Sequence, residues 1–470
     1  MDVEEFRRAG HELVDWVADF RAGLAGLPVM AAVRPGDVRA RLPVSPPAEP
    51  EAFASVLADL DAFVVPGLSH FQHPRFFGYF PSNAMLASVL GDYLSTGLGA
   101  LGLSWQAAPA LTEVEETMID WLRQMLGLAP SWRGALQDTA STATLLALLC
   151  ARERSTNFSL ASRGLQGQAK ALVVYVSRYA HSSVEKAALL AGFGRDNVRA
   201  VDVDAEFALD PQALASALDT DVAAGRVPCA VVVTSGTTTT TAFDPVGTAV
   251  DLAARHGAWV HVDAAMAGNA MILPECRSLW AGVDGADSLV VNPHKWLGAA
   301  FDCSAFFVRD AQHLIRVMGT NPSYLQTAAD NDVTNYRDWG IALGRRFRAL
   351  KLWTLVRLEG LHGLQERLRR DLANARWLAA QVAGAADWQV LAPVHLQTVC
   401  VRHAPAGLAG EALDRHTLAW VDRINRSGEA YLTPAQLEGR WMCRVSVGAA
   451  ATERDDVVAL WQAMRAAASA

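Results

Sequence analysis

Three reactive side chains and a hydroxyl-rich segment follow short apolar runs in the middle of the sequence. Lys295, Asp263 and His181 each come within a few residues of the end of such a run, and Thr, Ser and Gly fill 234–238 after another. A lysine that burial keeps neutral can attack a carbonyl carbon. A carboxylate and an imidazole nearby can then hold or move protons. The set therefore predicts covalent chemistry on a carbonyl group.

A candidate phosphate site stands earlier in the chain. The segment 137–143 is rich in small and hydroxyl residues, among them Ala140 and Ser141, and it opens a strongly apolar helix-like stretch. The free N–H groups and the dipole at a helix start bind phosphate well. The sequence holds no GxGxxG and no GxxxxGK[ST], and the nearest match at 192–197 lacks the third glycine. A phosphate group that is neither a dinucleotide nor a P-loop nucleotide fits this pattern.

Together these features predict a pyridoxal-5′-phosphate (PLP) site. PLP needs a lysine for its Schiff base, an acid that keeps the pyridine nitrogen protonated, donors for the phosphate and a flat group against the ring. Lys295 and Asp263 can meet the first two needs. Taken singly, a lysine after a strand is more often a solvated surface residue, and an aspartate there is more often a helix cap. Their coincidence at the strand ends of one domain favours the cofactor.

The elements that position these residues alternate in type. Apolar runs typical of strands buried on both faces occupy 171–176, 229–233, 259–262 and 288–291. Helix-like patterns lie between them at 183–191, 211–224 and 246–256. This alternation predicts an α/β domain with a mainly parallel sheet, whose ligands bind beyond the carboxyl ends of the strands.

The length of 470 residues indicates two or three domains. A helical, Pro-rich strap at 1–80 is expected to lie against the large domain or a second subunit. The α/β pattern fills 81–360 as the large PLP-binding domain. The pattern restarts at 361–470, which predicts a small α+β C-terminal domain.

Composition excludes several classes of function. The net charge of −8 and the absence of a strong basic cluster argue against nucleic acid and against an anionic membrane. No apolar run reaches the roughly 18 residues of a membrane span, and 1–8 lacks the pattern of a signal peptide. The 6 cysteines have no CxxC spacing, so we expect a reduced, cytoplasmic protein with no metal.

At these residues the sequence resembles the group II PLP-dependent amino-acid decarboxylases, specifically the aromatic-L-amino-acid decarboxylases. The resemblance covers nearly the whole chain and rests on several motifs in order: Ser104-Trp105 with Pro109–Glu115, Ala180-His-Ser-Ser-Val184, His261-Val-Asp-Ala-Ala265, Asn292-Pro-His-Lys-Trp-Leu297 and Gly344–Trp353. It implies the PLP-dependent transferase-like fold (aspartate aminotransferase fold type I), a homodimer, and decarboxylation of an aromatic L-amino acid to an arylalkylamine.

The resemblance also implies roles for single residues around the cofactor. Lys295 forms the Schiff base, Asp263 pairs with the pyridine nitrogen, and His181 stacks on the ring. The remaining cofactor-binding residues are Ala265 on the other face, Thr238 near the ring hydroxyl, and Ala140, Ser141, Asn292 and His294 at the phosphate. Tyr324 matches a tyrosine on a loop that covers the site, and it is expected to deliver a proton together with His181.

A substrate pocket is indicated by five aromatic residues within 71–80. The alternative is an ordinary core cluster. The resemblance places six residues around the substrate: Phe71, Tyr79, Phe80, Pro81, and Leu101 and Leu103 from the neighbouring subunit. Leu103 stands where animal members have phenylalanine, and Met266 stands where tyrosine is common. Which aromatic acid is preferred therefore stays open.

Three other functions compete with decarboxylation of an aromatic acid. An aromatic aldehyde synthase uses the same scaffold, but the presence of Tyr324 and His181 favours simple decarboxylation. A decarboxylase of an aliphatic acid such as glutamate would need a cation for the distal carboxylate, and none is obvious within 71–82. A non-catalytic dimeric scaffold would not need Lys295, Asp263 and His181.

Overall fold

The computed structural model describes residues 1–320, 329–330 and 332–469. The chain divides into two compact units, and each is described by itself. The smaller unit comprises Met1–Tyr79, Asn374–Leu391 and Val399–Ala470, and the larger unit comprises Phe80–Ala373 and Ala392–Thr398. The sequence predicts three domains, divided after residues 80 and 360. The two compact units do not test this division, which stays a prediction.

The α-helices of the described residues are α1 (Val3–Gly23), α2 (Phe53–Asp59), α3 (Leu86–Leu98), α4 (Pro109–Leu126), α5 (Ala140–Ser155), α6 (Leu160–Arg163), α7 (Ser182–Leu190), α8 (Pro211–Ala223), α9 (Val246–Ala254), α10 (Ala311–Met318), α11 (Ala349–Ala383), α12 (Gly410–Ser427) and α13 (Arg454–Ser469). Gly360, with φ of 67°, interrupts α11. None of these helices is long and apolar enough to cross a membrane.

The larger unit is built on a seven-stranded sheet with the order β1-β7-β6-β5-β4-β2-β3. Its strands are β1 (Arg133–Gln137), β2 (Leu172–Ser177), β3 (Val198–Val201), β4 (Val227–Thr234), β5 (Trp259–Asp263), β6 (Ser288–Val291) and β7 (Ser304–Val308). From β3 through β2, β4 and β5 to β6, neighbours pair in parallel, whereas β7 pairs antiparallel with both β6 and β1. The predicted α/β fold with a mainly parallel sheet is confirmed.

Burial on both faces explains why these strands read as unbroken apolar runs. Along β4, Val231 and Val233 pack into one hydrophobic core, and Ala230 and Val232 pack into a second. Because side chains alternate across a strand, each face of the sheet faces its own core. Thr234 and Asp263, polar residues that line the cavity, are by contrast the last residues of β4 and β5, where a ligand can reach them.

The smaller unit holds a four-stranded sheet with the order β10-β11-β9-β8. Its strands are β8 (Trp388–Val390), β9 (Thr398–His403), β10 (Thr433–Leu437) and β11 (Arg440–Ser446). Two helices, α12 and α13, pack together beside it, which matches the predicted small α+β part. None of the residues of α1 is buried within the described chain. The helical strap predicted at the start of the sequence begins with this helix, whose residues are all exposed or partly buried.

Candidate active site

A cavity of about 270 Å³ lies in the larger unit at the carboxyl ends of its parallel strands. Its lining consists of Phe80, Thr139, Ala140, Ser141, His181, Ser183, Thr234, Gly236, Thr238, Asp263, Ala265, Met266, Asn292, His294 and Lys295. The structure therefore brings together every cofactor-binding residue that the sequence predicts. The role of each single residue stays a prediction.

Asp263 and Lys295 reach this cavity from neighbouring strands. Asp263 is the last residue of β5 and pairs in register with Val290 of β6. Its Oδ1 accepts a hydrogen bond of 3.2 Å from the backbone N–H of Ala265, and 5% of the residue is exposed. Lys295 lies in the turn Pro293–Leu297 that follows β6. Its Nζ lies 5.5 Å from the centroid of the Phe80 ring, so the amine faces an aromatic wall.

His181 is held at the start of α7. As the N-cap residue, its Nδ1 accepts a hydrogen bond of 3.1 Å from the backbone N–H of Ser183 and lies 2.7 Å from the Ser183 hydroxyl. A nitrogen that accepts a backbone N–H carries no proton, so the neutral ring carries its proton on Nε2. Partial burial lowers the pKa of His181; the Asp263 carboxylate opposes this shift and Lys295 adds to it. The histidine is therefore neutral at pH 7 and fixed in one tautomer.

The start of α5 supplies backbone donors to the same cavity. Ala140 begins this 16-residue helix, and among the described residues no side chain caps it. Its first N–H groups and its dipole therefore suit an anion. Across the cavity lining, the Thr234 hydroxyl is buried and has no hydrogen-bond partner among the described residues. Uncapped N–H groups and an unsatisfied hydroxyl fit a phosphorylated polar ligand.

Asn292 and His294 are oriented by Ser304, the first residue of β7, and by Cys303, which directly precedes it. The Ser304 hydroxyl donates to Asn292 Oδ1 at 2.6 Å, and the Cys303 backbone N–H donates to His294 Nδ1 at 2.9 Å. Burial, and next the charge of Lys295, lower the pKa of His294 to about 3. His294 is therefore neutral, and its proton lies on Nε2, which can donate to an anion in the cavity.

The predicted substrate residues are distributed differently. Phe80 lines the cavity, and the buried Pro81 follows it. Phe71 and Tyr79 belong to the smaller unit, where their rings stack at 6.0 Å. Leu101 and Leu103 lie between α3 and α4, outside the cavity lining, and Leu101 is 54% exposed. Tyr324, the predicted proton donor, lies outside the described residues.

Several lining residues were not predicted as site residues from the sequence. They are Thr139, Ser183, Thr234, Gly236 and Met266. Each is a near neighbour in sequence of a predicted residue or of a strand end, and this adjacency was the signal that could have found them. Gly236 has φ of 87°, and a Cβ there would lie 2.5 Å from the Ala267 side chain, so only glycine fits.

The comparisons with known proteins agree with this geometry. Residues 35–404 match the family described as the pyridoxal-dependent decarboxylase conserved domain. Tryptophan decarboxylase 2 of Oryza sativa subsp. japonica is 38% identical over 475 residues, covering 99% of this chain and 95% of that protein. Phenylacetaldehyde synthase of a Rosa hybrid cultivar is 37% identical over 482 residues, covering 99% of this chain and 94% of that protein.

A solved structure extends the likeness to the whole fold. The crystal structure of Oryza sativa TDC with PLP and tryptamine has a TM-score of 0.97 and 36% identity, covering 100% of this chain and 98% of that chain. A lysine, a carboxylate and anion donors line the cavity and fit the same cofactor, so PLP is the cofactor of this protein. On the family match and the extent of these likenesses, the chain belongs to the pyridoxal-dependent decarboxylase family.

Proposed function

We propose that this PLP-dependent carboxy-lyase decarboxylates an aromatic L-amino acid to the arylalkylamine and CO₂. The observation that carries the proposal is the convergence of Lys295, Asp263 and His181 in one cavity beside the Phe80 ring. Aromatic and apolar walls favour an aromatic substrate side chain. The relatives named for tryptophan and tyrosine decarboxylation support the same substrate class.

The chain's own residues have separate tasks in this reaction. When bound, PLP supplies a ring that accepts the electron pair left behind as CO₂ departs. Lys295 holds the cofactor through its amine until the substrate amine replaces it. The Asp263 carboxylate, 5% exposed, keeps a proton on the pyridine nitrogen. A fixed charge in a water-poor site stabilises the transition state because it needs no reorganisation.

Proton delivery to the substrate Cα is the second task. His181 lines the cavity with its proton on Nε2, since Nδ1 accepts from the Ser183 N–H. We propose that Tyr324 delivers the proton and that His181 orients this step. General-acid help of this kind contributes typically about 10²–10⁴-fold.

A second candidate function is oxidative formation of an aromatic aldehyde. The observation that favours it is the 37% identity to phenylacetaldehyde synthase. The products separate the two reactions: decarboxylation yields amine and CO₂, whereas the oxidative route consumes O₂ and yields aldehyde, ammonia and peroxide. Tyr324 and His181 are both present in this sequence, which supports amine formation.

We further propose that the protein acts as a homodimer. The exposed face of α3 carries a continuous apolar stripe, made of Leu86, Leu90, Tyr93, Leu94 and Leu98, each at least 47% exposed. A stripe of this length on one helix face is typical of a surface that another protein covers. Leu101 and Leu103 follow it directly and would contact the neighbour's site.

A cytoplasmic location is supported by the six cysteines, which are all buried and, in the described residues, form no disulfide.

The test measures amine release from a panel of aromatic L-amino acids with added PLP. Wild type is compared with Lys295→Ala and with Lys186→Ala, a control that removes an exposed lysine of α7. We expect amine only from wild type and the control. If PLP colours the protein but every aromatic acid fails to give amine, aldehyde and peroxide are assayed next, followed by aliphatic acids such as glutamate. Protein that stays colourless with PLP would indicate a non-catalytic scaffold.

A further inference from the structure

An ion pair adjoins, in sequence, the residues that orient Asn292 and His294 of the cofactor cavity. Arg348 Nε and Nη2 contact the two carboxylate oxygens of Asp302 at 3.0 and 3.2 Å, and the two side chains are 16% and 19% exposed. Burial raises the pKa of Asp302, but the Arg348 hydrogen bonds and charge outweigh it, so the net pKa is lowered. A two-point contact between charged groups fixes geometry as well as distance. The pair therefore holds the backbone at Asp302 in one place.

Asp302 immediately precedes the two residues that orient Asn292 and His294. The backbone N–H of Cys303 donates to His294 Nδ1 at 2.9 Å, and the backbone N–H of His294 donates to the Cys303 carbonyl at 3.2 Å. The Ser304 hydroxyl donates to Asn292 Oδ1 at 2.6 Å. A displacement at Asp302 would pass directly into these three contacts. Both cavity-lining side chains are thus tied to the segment that Arg348 anchors.

Arg348 itself stands on a rigid support. It directly precedes α11, which packs closely on α3: a Cβ on Gly91 would lie 2.6 Å from the Lys351 Cα. Lys351 is fully buried and its Nζ lies 2.9 Å from Asp92 Oδ1 of α3. Backbones this close cannot slide past one another. The backbone position from which the Arg348 side chain extends is therefore fixed.

We propose that Arg348 is a positioning residue for the phosphate end of PLP. It clamps Asp302 so that Cys303 keeps the His294 proton on Nε2, where it donates to the cofactor's phosphate. The proposal rests on the PLP-dependent function proposed above. Arg348 does not line the cavity, so its effect must pass through His294 and Asn292.

The test compares two probes of the apoprotein: PLP, and pyridoxal, which lacks the phosphate. Dissociation constants are measured from the visible absorbance of the bound probe in Arg348→Gln and Asp302→Asn. We expect the dissociation constant of PLP to rise by about tenfold in each variant, which corresponds to the loss of one charge-assisted hydrogen bond. Pyridoxal binding should change by less than about twofold, since it has no group for His294 to hold.

A matched control uses a second two-point ion pair of the same unit. Arg154 contacts Asp287 at 2.8 and 3.1 Å, and neither residue lines the cavity. Arg154→Gln should leave the ratio of PLP to pyridoxal affinity unchanged while losing comparable thermal stability. Arg348→Lys, which keeps the charge and loses the second contact, should fall between wild type and Arg348→Gln.

A double-mutant cycle separates positioning from general loosening. In a His294→Ala background, Arg348→Gln should weaken PLP binding by less than about threefold, because its main target is gone. Equal weakening of PLP and pyridoxal, unchanged PLP binding in the folded variants, or full additivity with His294→Ala would each overturn the proposal. If Arg348→Gln does not fold, Asp302→Asn and Arg348→Lys are judged by the same criteria. If the wild-type protein bound PLP but released no amine, the proposed function would be contradicted. The proposed role of Arg348 in binding PLP would still stand or fall on the dissociation constants.

Discussion

The polar groups at the two ends of the strands in the seven-stranded sheet have opposite arrangements. We call the side where the parallel strands end the carboxyl edge and the side where they begin the amino edge. At the carboxyl edge, the start of α5 is uncapped and the Thr234 hydroxyl is buried with no partner among the described residues. At the amino edge, the Asp287 carboxylate, just before β6, accepts from the Val260 N–H at 2.8 Å and from Arg154 at 2.8 and 3.1 Å. One edge reserves its donors for a ligand, and the other uses its polar groups within the fold.

This contrast indicates that activity and stability are separated along the direction of the strands. Buried polar groups without partners cost free energy, so a fold keeps them only where something else satisfies them. Changes at the carboxyl edge should therefore affect chemistry more than unfolding. Changes at the amino edge should do the reverse.

The largest expected effect lies at the carboxyl edge. Asp263→Asn removes the charge opposite the pyridine nitrogen, and we expect kcat for amine formation to fall by roughly 10²–10³. The urea midpoint of unfolding should change little, because Asn keeps the shape. Asp251→Asn, on the exposed side of α9, is the control. A kcat within a few fold of wild type at saturating PLP would remove Asp263 from its proposed role.

His261, in β5 between the two edges, should couple stability to pH. Burial lowers its pKa to about 4, and its Nδ1 lies 2.9 Å from the Ser288 hydroxyl. Because the unfolded chain binds this proton below about pH 6.5 and the folded chain does not, stability falls as pH drops from 6.5 to 4, by roughly 3 kcal/mol for this group. Urea unfolding across this range measures the slope. His261→Gln should flatten it, and an unchanged slope would contradict the assignment.

At the amino edge, Asp287→Ala removes three partners at once. The Val260 N–H and the guanidinium groups of Arg154 and Arg309 lose their acceptor, so we expect the free energy of unfolding to fall by about 2–3 kcal/mol. kcat should stay within about twofold of wild type. Asp219→Ala, whose side chain is 80% exposed, serves as the control. If Asp287→Ala raised the activation free energy calculated from kcat by more than it lowered the free energy of unfolding, the distinction between the edges would be wrong.

The smallest expected effect sharpens the comparison most. Thr234→Val removes the unsatisfied hydroxyl without changing the shape of the side chain. The free energy of unfolding of the apoprotein should stay the same or rise by up to about 1 kcal/mol, while PLP affinity falls several-fold. Thr220→Val, at an exposed position of α8, controls for the loss of a threonine hydroxyl as such. Lower stability with unchanged PLP affinity would show that the hydroxyl serves the fold instead.

The sequence predicted the carboxyl edge well because a simple rule governs it. Runs apolar on both faces predict parallel strands, and the residues that follow such strands meet at one edge. The predicted strand 259–262 is observed as Trp259–Asp263, and the predicted helix 183–191 is observed as Ser182–Leu190. Local pattern and fold agree at these positions, so Lys295, Asp263 and His181 could be placed at one edge in advance, while their roles stay predictions.

Other features could not be read from local patterns. The antiparallel pairing of β7 with β6 and β1 depends on the path of the chain, which apolar runs do not encode. The aromatic residues of 71–80 are close in sequence, yet Tyr79 and Phe80 belong to different units. Asp302 and Arg348 stand 46 residues apart, so no spacing rule connects them.

Helix α5 joins the two edges, because its first residue, Ala140, lines the cavity and Arg154 near its end contacts Asp287. The 14 residue steps between them set a length of about 21 Å and a fixed angle around the axis. One inserted residue would turn the far end by about 100° and would break either the phosphate site or the ion pair. Within this helix, substitutions can accumulate during evolution, but insertions and deletions cannot, and changes of length are left to the turns that follow it.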